Sequence, residues 1–182
     1  GAAPAASFAL ESGQLSEYAS RVLQGSRAKT PEGELEVIFY PKVAIRDGSQ
    51  ANNPWLQELP DPISRVVWDN YVSVPVSLAK DQNLKNEDLV EVTLGDDKVL
   101  MPVYVQPGQA KNTIALALGY GRKHGKVAKR ANGKQQGDRQ IGGVNFFPML
   151  AVDGGAMQYT MRGASLSKTG QKYPMALTQT FN

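Results

Sequence analysis

Apolar and polar residues alternate in several short stretches of this chain, with the period that is typical of half-buried strands. The alternation is clearest over Asp88–Leu94 and Val99–Val105, and the intervening Gly95-Asp96-Asp97 predicts that the two strands form a hairpin. Glu34–Tyr40 passes from alternation into an aromatic and β-branched run that Pro41 stops, which predicts another strand.

Further strands are predicted along the rest of the chain. Asn70–Val74 and Thr113–Leu118 carry clear strand signals, and Ala156–Met161 and Lys172–Gln179 carry weaker ones. Residues 47–54 are dense in turn-forming residues, so we expect an exposed loop there.

The predicted helices are short. Residues 13–24 place apolar side chains at helical spacing ahead of Gly25, in a stripe formed by Leu15, Tyr18, Val22 and Leu23. A second helix is expected over Ser77–Lys80, with Pro75 at a first helical position. Closely spaced strands with only short helices indicate a closed barrel, so the predicted fold class is mainly β.

Positive charge is concentrated in one segment. The net charge is +3, yet residues 122–139 hold seven basic side chains against Asp138, so the remainder of the chain is net negative. Residues 123–140 are poor in apolar side chains and predict a long mobile loop. Because no aromatic residue lies between Lys123 and Gln140, nucleic-acid binding is not expected. A solvated loop, or docking on an acidic partner, is the better interpretation.

The composition excludes several kinds of chemistry. The chain has no cysteine, which rules out a disulfide, a thiolate zinc site and an iron-sulfur cluster held by these residues. His124 is the only histidine and lies among charged residues, so we expect it to be exposed and not catalytic, and we predict no metal site. No apolar run reaches the roughly 20 residues of a spanning helix, so direct membrane insertion is not expected. The small-residue start at Gly1 looks like the cut end of a longer protein, so a missing targeting signal is uninformative.

Two other groups of residues invite a functional interpretation. Trp55 and Trp68 are expected to pack in the core or against a neighbouring domain rather than hold a ligand. Glu58 and Asp61 could act as paired carboxylates, but the adjacent prolines favour a turn, and no catalytic residue is assigned.

One long block has an unusual composition. Ala51–Pro62, with Trp68-Asp69-Asn70 behind it, resembles the molybdopterin oxidoreductase family, and within it the fused molybdopterin-like and iron-sulfur subunit of alternative complex III, a membrane-attached quinol-oxidising assembly. Gln106-Pro107-Gly108, Gly119–Arg122 and Gly143-Val144-Asn145 continue the match in order.

This resemblance covers roughly residues 34–180. It implies a double-psi β-barrel of the aspartate-decarboxylase-like type with a few short helices. The barrel, residues 34–182, would be the C-terminal molybdopterin-dinucleotide-binding-type domain, behind an N-terminal extension with a short helix at residues 1–33. Relatives commonly have Gly-Asp where this chain has Asn86-Glu87-Asp88, and Asn86 can still take a left-handed turn conformation, so the fold tolerates this departure.

A pterin dinucleotide is bulky and polyanionic, so its site needs glycines that let backbone N–H groups approach, together with Arg or Asn donors. The candidate cofactor-binding residues are Gly119, Tyr120, Gly121, Arg122 and Asn145. They follow a predicted strand or end a loop, where barrel mouths bind ligands, and Tyr120 could stack on a flat ring. The alternative interpretation is a two-glycine structural turn.

For function, the resemblance implies a structural barrel domain of an iron-sulfur electron-transfer subunit. No molybdenum is expected in that subunit, no cofactor is expected in this fragment, and the isolated domain is not expected to be an enzyme. Its partners would be other domains of the parent chain and subunits of a membrane complex at the periplasmic face of the cytoplasmic membrane. The alternative is a genuine molybdopterin guanine dinucleotide-binding domain of a catalytic molybdenum oxidoreductase.

Overall fold

The computed structural model describes residues 13, 15–20, 33–136, 138–153 and 155–179. Residues 1–31 and 32–182 form two units. In the first unit residues 15–20 are helical, and the Ser16 hydroxyl donates to the Gly13 carbonyl at 2.8 Å, which confirms this part of the predicted helix. Leu15 and Tyr18 are exposed, and the rest of the predicted stripe lies outside the described residues.

The described part of the second unit is built mainly of strands. They are β1 (Leu35–Pro41), β2 (Val72–Pro75), β3 (Asp88–Leu94), β4 (Asp97–Gln106), β5 (Thr113–Leu118), β6 (Lys134–Gln136), β7 (Arg139–Ile141), β8 (Ala151–Asp153), β9 (Ala156–Gln158) and β10 (Thr160–Lys172). The helices are α1 (Pro54–Gln57) and α2 (Val76–Asp81), and 3-10 turns cover Ala128–Ala131 and Phe147–Met149. The predicted first strand, hairpin and helix after Pro75 are confirmed, with Pro75 as the N-cap of α2.

Six strands close a barrel in the order β2-β5-β1-β10-β3-β4, and β4 pairs back onto β2. β1 runs parallel to β5 and β2 runs parallel to β4, whereas the other neighbouring pairs are antiparallel. Parallel neighbours cannot be joined by a tight turn, and β2 and β4 are accordingly connected through α2 and β3. This closed, mainly β architecture confirms the predicted double-psi barrel.

Inward-facing side chains fill the barrel. In β1, Val37 and Phe39 are buried, whereas Ile38 between them faces outward. The Phe39 ring packs on Phe146, with ring centroids 5.8 Å apart. Since burial of each large apolar side chain contributes roughly 1.5–3 kcal/mol, this interior is the main source of stability.

The strand predicted over Lys172–Gln179 is wrong. The strand in this part of the chain is Thr160–Lys172, and the stretch predicted as a strand over Ala156–Met161 is divided between β9 and β10. β10 pairs with both β1 and β3, yet only Ala164 and Leu166 of its residues are buried. The apolar alternation on which strand prediction depends is therefore almost absent from it.

Residues 123–140 are not the long loop that the composition predicts, because they contain a 3-10 turn and the β6–β7 hairpin. The Asn52 side-chain oxygen accepts the N–H groups of Val127 and Ala128 at 3.1 and 3.3 Å. The Gln140 side-chain amide donates to three main-chain carbonyls nearby. Side-chain hydrogen bonds, rather than apolar burial alone, hold this segment, which explains why its polar composition was misleading.

The residue directly before β3 is Glu87, which takes the left-handed conformation with φ +71°, whereas Asn86 does not take it. Asn86 is held by its side-chain oxygen, which accepts the N–H of Val105 at 2.7 Å. The Glu87 N–H donates to the Val103 carbonyl at 2.8 Å, and its carboxylate accepts the N–H of Met175 at 3.1 Å. These contacts offset the cost of placing a residue with a side chain in that conformation.

Candidate functional site

The glycine turn after β5 packs against the loop that follows β1. Gly119 has φ +97° and Gly48 has φ +93°. A Cβ added to Gly119 would lie 2.7 Å from the Gly48 nitrogen, and a Cβ added to Gly48 would lie 2.7 Å from the Gly119 carbonyl oxygen. The two backbones therefore meet where a side chain on either residue would block the contact.

Asn145 packs against Gly121 in the same way. Its φ is +76°, and an added Cβ would lie 2.5 Å from the Asn145 nitrogen. The structure thus brings Gly121 and Asn145 together, and both glycines of the turn make room for the protein's own backbone. We call the paired segments around Gly48, Gly119–Gly121 and Asn145 the glycine rim.

Tyr120 points into the protein rather than out of the rim. Its side chain is 4% exposed, and its hydroxyl donates to the Asp69 carbonyl at 3.1 Å and accepts from the Lys42 ammonium at 2.8 Å. That ammonium lies 5.5 Å from the centroid of the Tyr120 ring and 5.7 Å from the centroid of the Tyr71 ring. The Tyr120 ring is therefore covered by the protein in this structure.

Arg122 and Asn145 are the exposed residues of the predicted set. The Asn145 side-chain oxygen accepts the N–H of Phe147 at 3.2 Å. The pKa of the Asp47 carboxyl is lowered, first by hydrogen bonds from Ser49 and further by the charge of Arg122. Arg122 and Asn145 therefore remain accessible to a ligand from solvent.

A pterin dinucleotide would need open space and free backbone donors at the glycines. The space at Gly119 and Gly121 is filled by Gly48 and Asn145, and the ring of Tyr120 is buried. The glycine turn by itself does not fit the group as a cradle. Cofactor binding by the five residues stays a prediction, and Arg122 and Asn145 are the members placed to take part in it.

A polar hollow of about 730 Å³ lies beside the rim, lined by Ser49, Gln50, Asn52, Asn53, Pro54 and Trp55. Trp55 is 82% exposed, so the expectation that it packs in the core is wrong. It lies on the single turn of α1, where the side-chain oxygen of Asn53 accepts its N–H at 3.0 Å. Packing of Trp55 on a neighbouring domain stays a prediction, whereas Trp68 packs partly buried against a cluster that includes Tyr120.

Sequence reasoning missed a buried polar cluster around Lys42. Lys42 is 3% exposed, and burial lowers its pKa to about 8, against the opposing attraction of Asp61 and Asp69. Burial also raises the pKa of Tyr40 to about 12 and raises the pKa of Tyr71. A lysine that directly follows a strand and proline is normally solvated, so no local signal marked it.

The remaining predicted residues have simple roles. Asp61 forms the expected turn, with one carboxylate oxygen accepting the N–H groups of Ile63 and Ser64 at 2.9 and 3.0 Å, while Glu58 is exposed. His124 is exposed, as expected. Within the described ranges no group of three potential metal ligands approaches closely enough to hold an ion, and no described helix is long and apolar enough to cross a membrane.

Comparison with known proteins finds similarity at the level of structure. No family model matches the chain, and no curated protein matches it. Acetylene hydratase from Pelobacter acetylenicus is similar in structure, with 13% identity and a TM-score of 0.46 over 74% of this chain. The chain spans 18% of the length of that enzyme. The assignment of the fold is therefore based on the strand pairing.

The filled rim predicts a specific cost for a side chain at Gly121. Gly121→Ala should lower the free energy of unfolding by more than Gly108→Ala, which also has positive φ but no atom within 4 Å of an added Cβ. Gly108→Ala isolates the backbone cost of roughly 1–2 kcal/mol, and Gly121→Ala adds the clash with Asn145. Urea unfolding measures both variants, and equal losses would show that Gly121 faces open space.

The lowered pKa of Lys42 predicts a pH dependence of stability. The unfolded chain holds more protons than the folded protein between about pH 8 and the ordinary lysine pKa of 10.5, so the free energy of unfolding should rise with pH there. Above about pH 10 the buried tyrosines, whose pKa values are raised, reverse the trend. Lys42→Met should remove most of the rise, about 2 kcal/mol.

Lys111→Met, at an exposed lysine, is the matched control and should keep the rise. Denaturant titrations at a series of pH values measure the slope. An unchanged slope in Lys42→Met would contradict the assignment.

Proposed function

We propose that this chain is a structural barrel domain of a molybdopterin-oxidoreductase-like protein, of the kind found in the iron-sulfur electron-transfer subunit of a quinol-oxidising complex. The observation that carries the proposal is the filled rim, where Gly48 backs onto Gly119 and Asn145 backs onto Gly121. The space beside these glycines, where a phosphate would approach in a ligand cradle, is filled by the protein's own backbone, which supports a scaffold role for the rim.

The surface beside the rim supports a role in packing on other proteins or domains. Trp55, on α1, and Leu59, just after this helix, are 82% and 44% exposed. The seven basic side chains of residues 122–139 are all exposed. An exposed aromatic anchor beside charged residues is typical of a protein interface. The proposed partners are other domains of the parent chain and subunits of a membrane complex at the periplasmic face.

One observation favours a second function, a genuine molybdopterin guanine dinucleotide-binding domain of a catalytic enzyme. The polar hollow of about 730 Å³ adjoins the rim at Ser49, which directly follows Gly48. Arg122 and Asn145 are exposed, the Arg122 side chain lies beside Gly48, and both residue types are suited to a polyanion. In that function another domain of the parent protein would complete the site.

Mass spectrometry of the complete parent protein distinguishes the two functions. The purified protein is denatured, and its released small molecules are assayed for pterins. The scaffold function predicts no stoichiometric pterin. Stoichiometric pterin in the natural protein that is lost on Arg122→Ala or Asn145→Ala, but kept on Lys123→Ala at an exposed neighbour, would overturn it in favour of the cofactor-binding function.

A further inference from the structure

A second pocket, of about 320 Å³, lies on the outer wall of the barrel. Its wall comes from β1, β5 and β2, which contribute Tyr40, Ala115 and Ser73, and Ala115 pairs directly with Ser73. Val43 and Ile63 stand at its edge with 68% and 60% of their side chains exposed. The small side chain of Ala115 makes room for this pocket. The volume of the pocket is at the lower end of the range for small-molecule sites.

The pocket is mainly apolar but contains one charge. Among the described residues that line it, Asp61 is the single charged side chain. One of its carboxylate oxygens accepts two backbone N–H groups, and the other has no hydrogen-bond donor among the described residues. The Asp61 main chain is fixed as well, because its N–H donates to the Val66 carbonyl and its carbonyl accepts from Arg65. The carboxylate is therefore held in place before any ligand arrives.

The neighbouring polar groups leave this negative charge open to a ligand. The Lys42 ammonium attracts Asp61 from a distance, but it donates to the Tyr120 hydroxyl and the Asp69 carbonyl. The Tyr71 hydroxyl is hydrogen-bonded to Ser64 at 2.8 Å, and burial raises the pKa of its phenol. A cation that enters the pocket gains a nearly buried counter-ion beside the side chains of Tyr40 and Tyr71.

We propose that the outer-wall pocket binds a small organic cation, a compact apolar body that carries a protonated amine, with Asp61 as its counter-ion and Tyr40 and Tyr71 as aromatic walls. This site is independent of the glycine rim and of the proposed scaffold function. A neutral apolar compound would leave the free carboxylate oxygen without a donor, and an organic anion would be repelled by it.

Three probes with the same ring test the charge preference. 2-Phenylethylamine, 2-phenylethanol and 3-phenylpropionate are titrated into the ¹⁵N-labelled chain at pH 7, and backbone amide shifts are followed by NMR. The proposal expects saturable shifts at Tyr40, Asp61 and Ala115 with the amine, and at least tenfold weaker binding of the alcohol and the acid. Equal binding of amine and alcohol, or no saturable shift with the amine, would overturn it.

Two variants place the binding in this pocket. Asp61→Asn keeps the oxygen that accepts the backbone N–H groups but removes the charge, and it should weaken amine binding at least tenfold. Asp47→Asn changes an aspartate in a similar turn outside the pocket, where a side-chain oxygen accepts the N–H of Ser49, and it should bind the amine as the natural chain does. Undiminished binding in Asp61→Asn would overturn the role of the carboxylate.

Ala115→Leu is the second test, because it fills the hollow without touching Asp61. It should abolish amine binding while the dispersed NMR spectrum shows that the barrel is kept. Full binding in this variant would place the amine elsewhere. If the amine binds at an unrelated acidic site, its saturable shifts will be the same in Asp61→Asn and in Ala115→Leu as in the natural chain. That result would also overturn the proposal.

Discussion

The parallel pairing of β1 with β5 is the constraint on which the glycine rim depends. Its register places Pro41 beside Leu118, so the chain leaves both strands at the same end of the barrel and side by side. Lys42 directly follows β1, and Gly119 directly follows β5. The loops that follow pack against each other, and the glycines at 48 and 119 allow their backbones to approach closely.

The same pairing explains why a lysine is buried in a protein of ordinary composition. The segments that follow β1 and β5 place Lys42 beside Tyr120, and the Lys42 ammonium donates to the Tyr120 hydroxyl at 2.8 Å. The Tyr120 hydroxyl in turn donates to the Asp69 carbonyl. Hydrogen bonds and two aromatic rings compensate part of the cost of burying the ammonium. On the outer side of the same strands, the small side chain of Ala115 makes room for the pocket that Asp61 lines, so one strand pair shapes both the buried polar cluster and the outer-wall pocket.

Local patterns predicted much of the fold and less of the site. The β3–β4 hairpin and β5 were predictable because their apolar residues alternate within each strand. β10 was not, because a strand paired on both sides can be exposed along most of its length, as its single buried pair Ala164 and Leu166 shows. Arg122 and Asn145 were predicted from residue type, but the burial of Tyr120 and Lys42 depends on residues distant in sequence, which no local pattern contains.

The contact between Gly48 and Gly119 is therefore the point at which the account is most directly tested. Nuclear Overhauser effects between the backbone protons of these two glycines can be recorded on this chain in solution. The account predicts strong effects, together with effects between Pro41 and Leu118 that report the parallel register. An absence of both, in a spectrum that shows the β3–β4 hairpin intact, would contradict the pairing and the filled rim built on it.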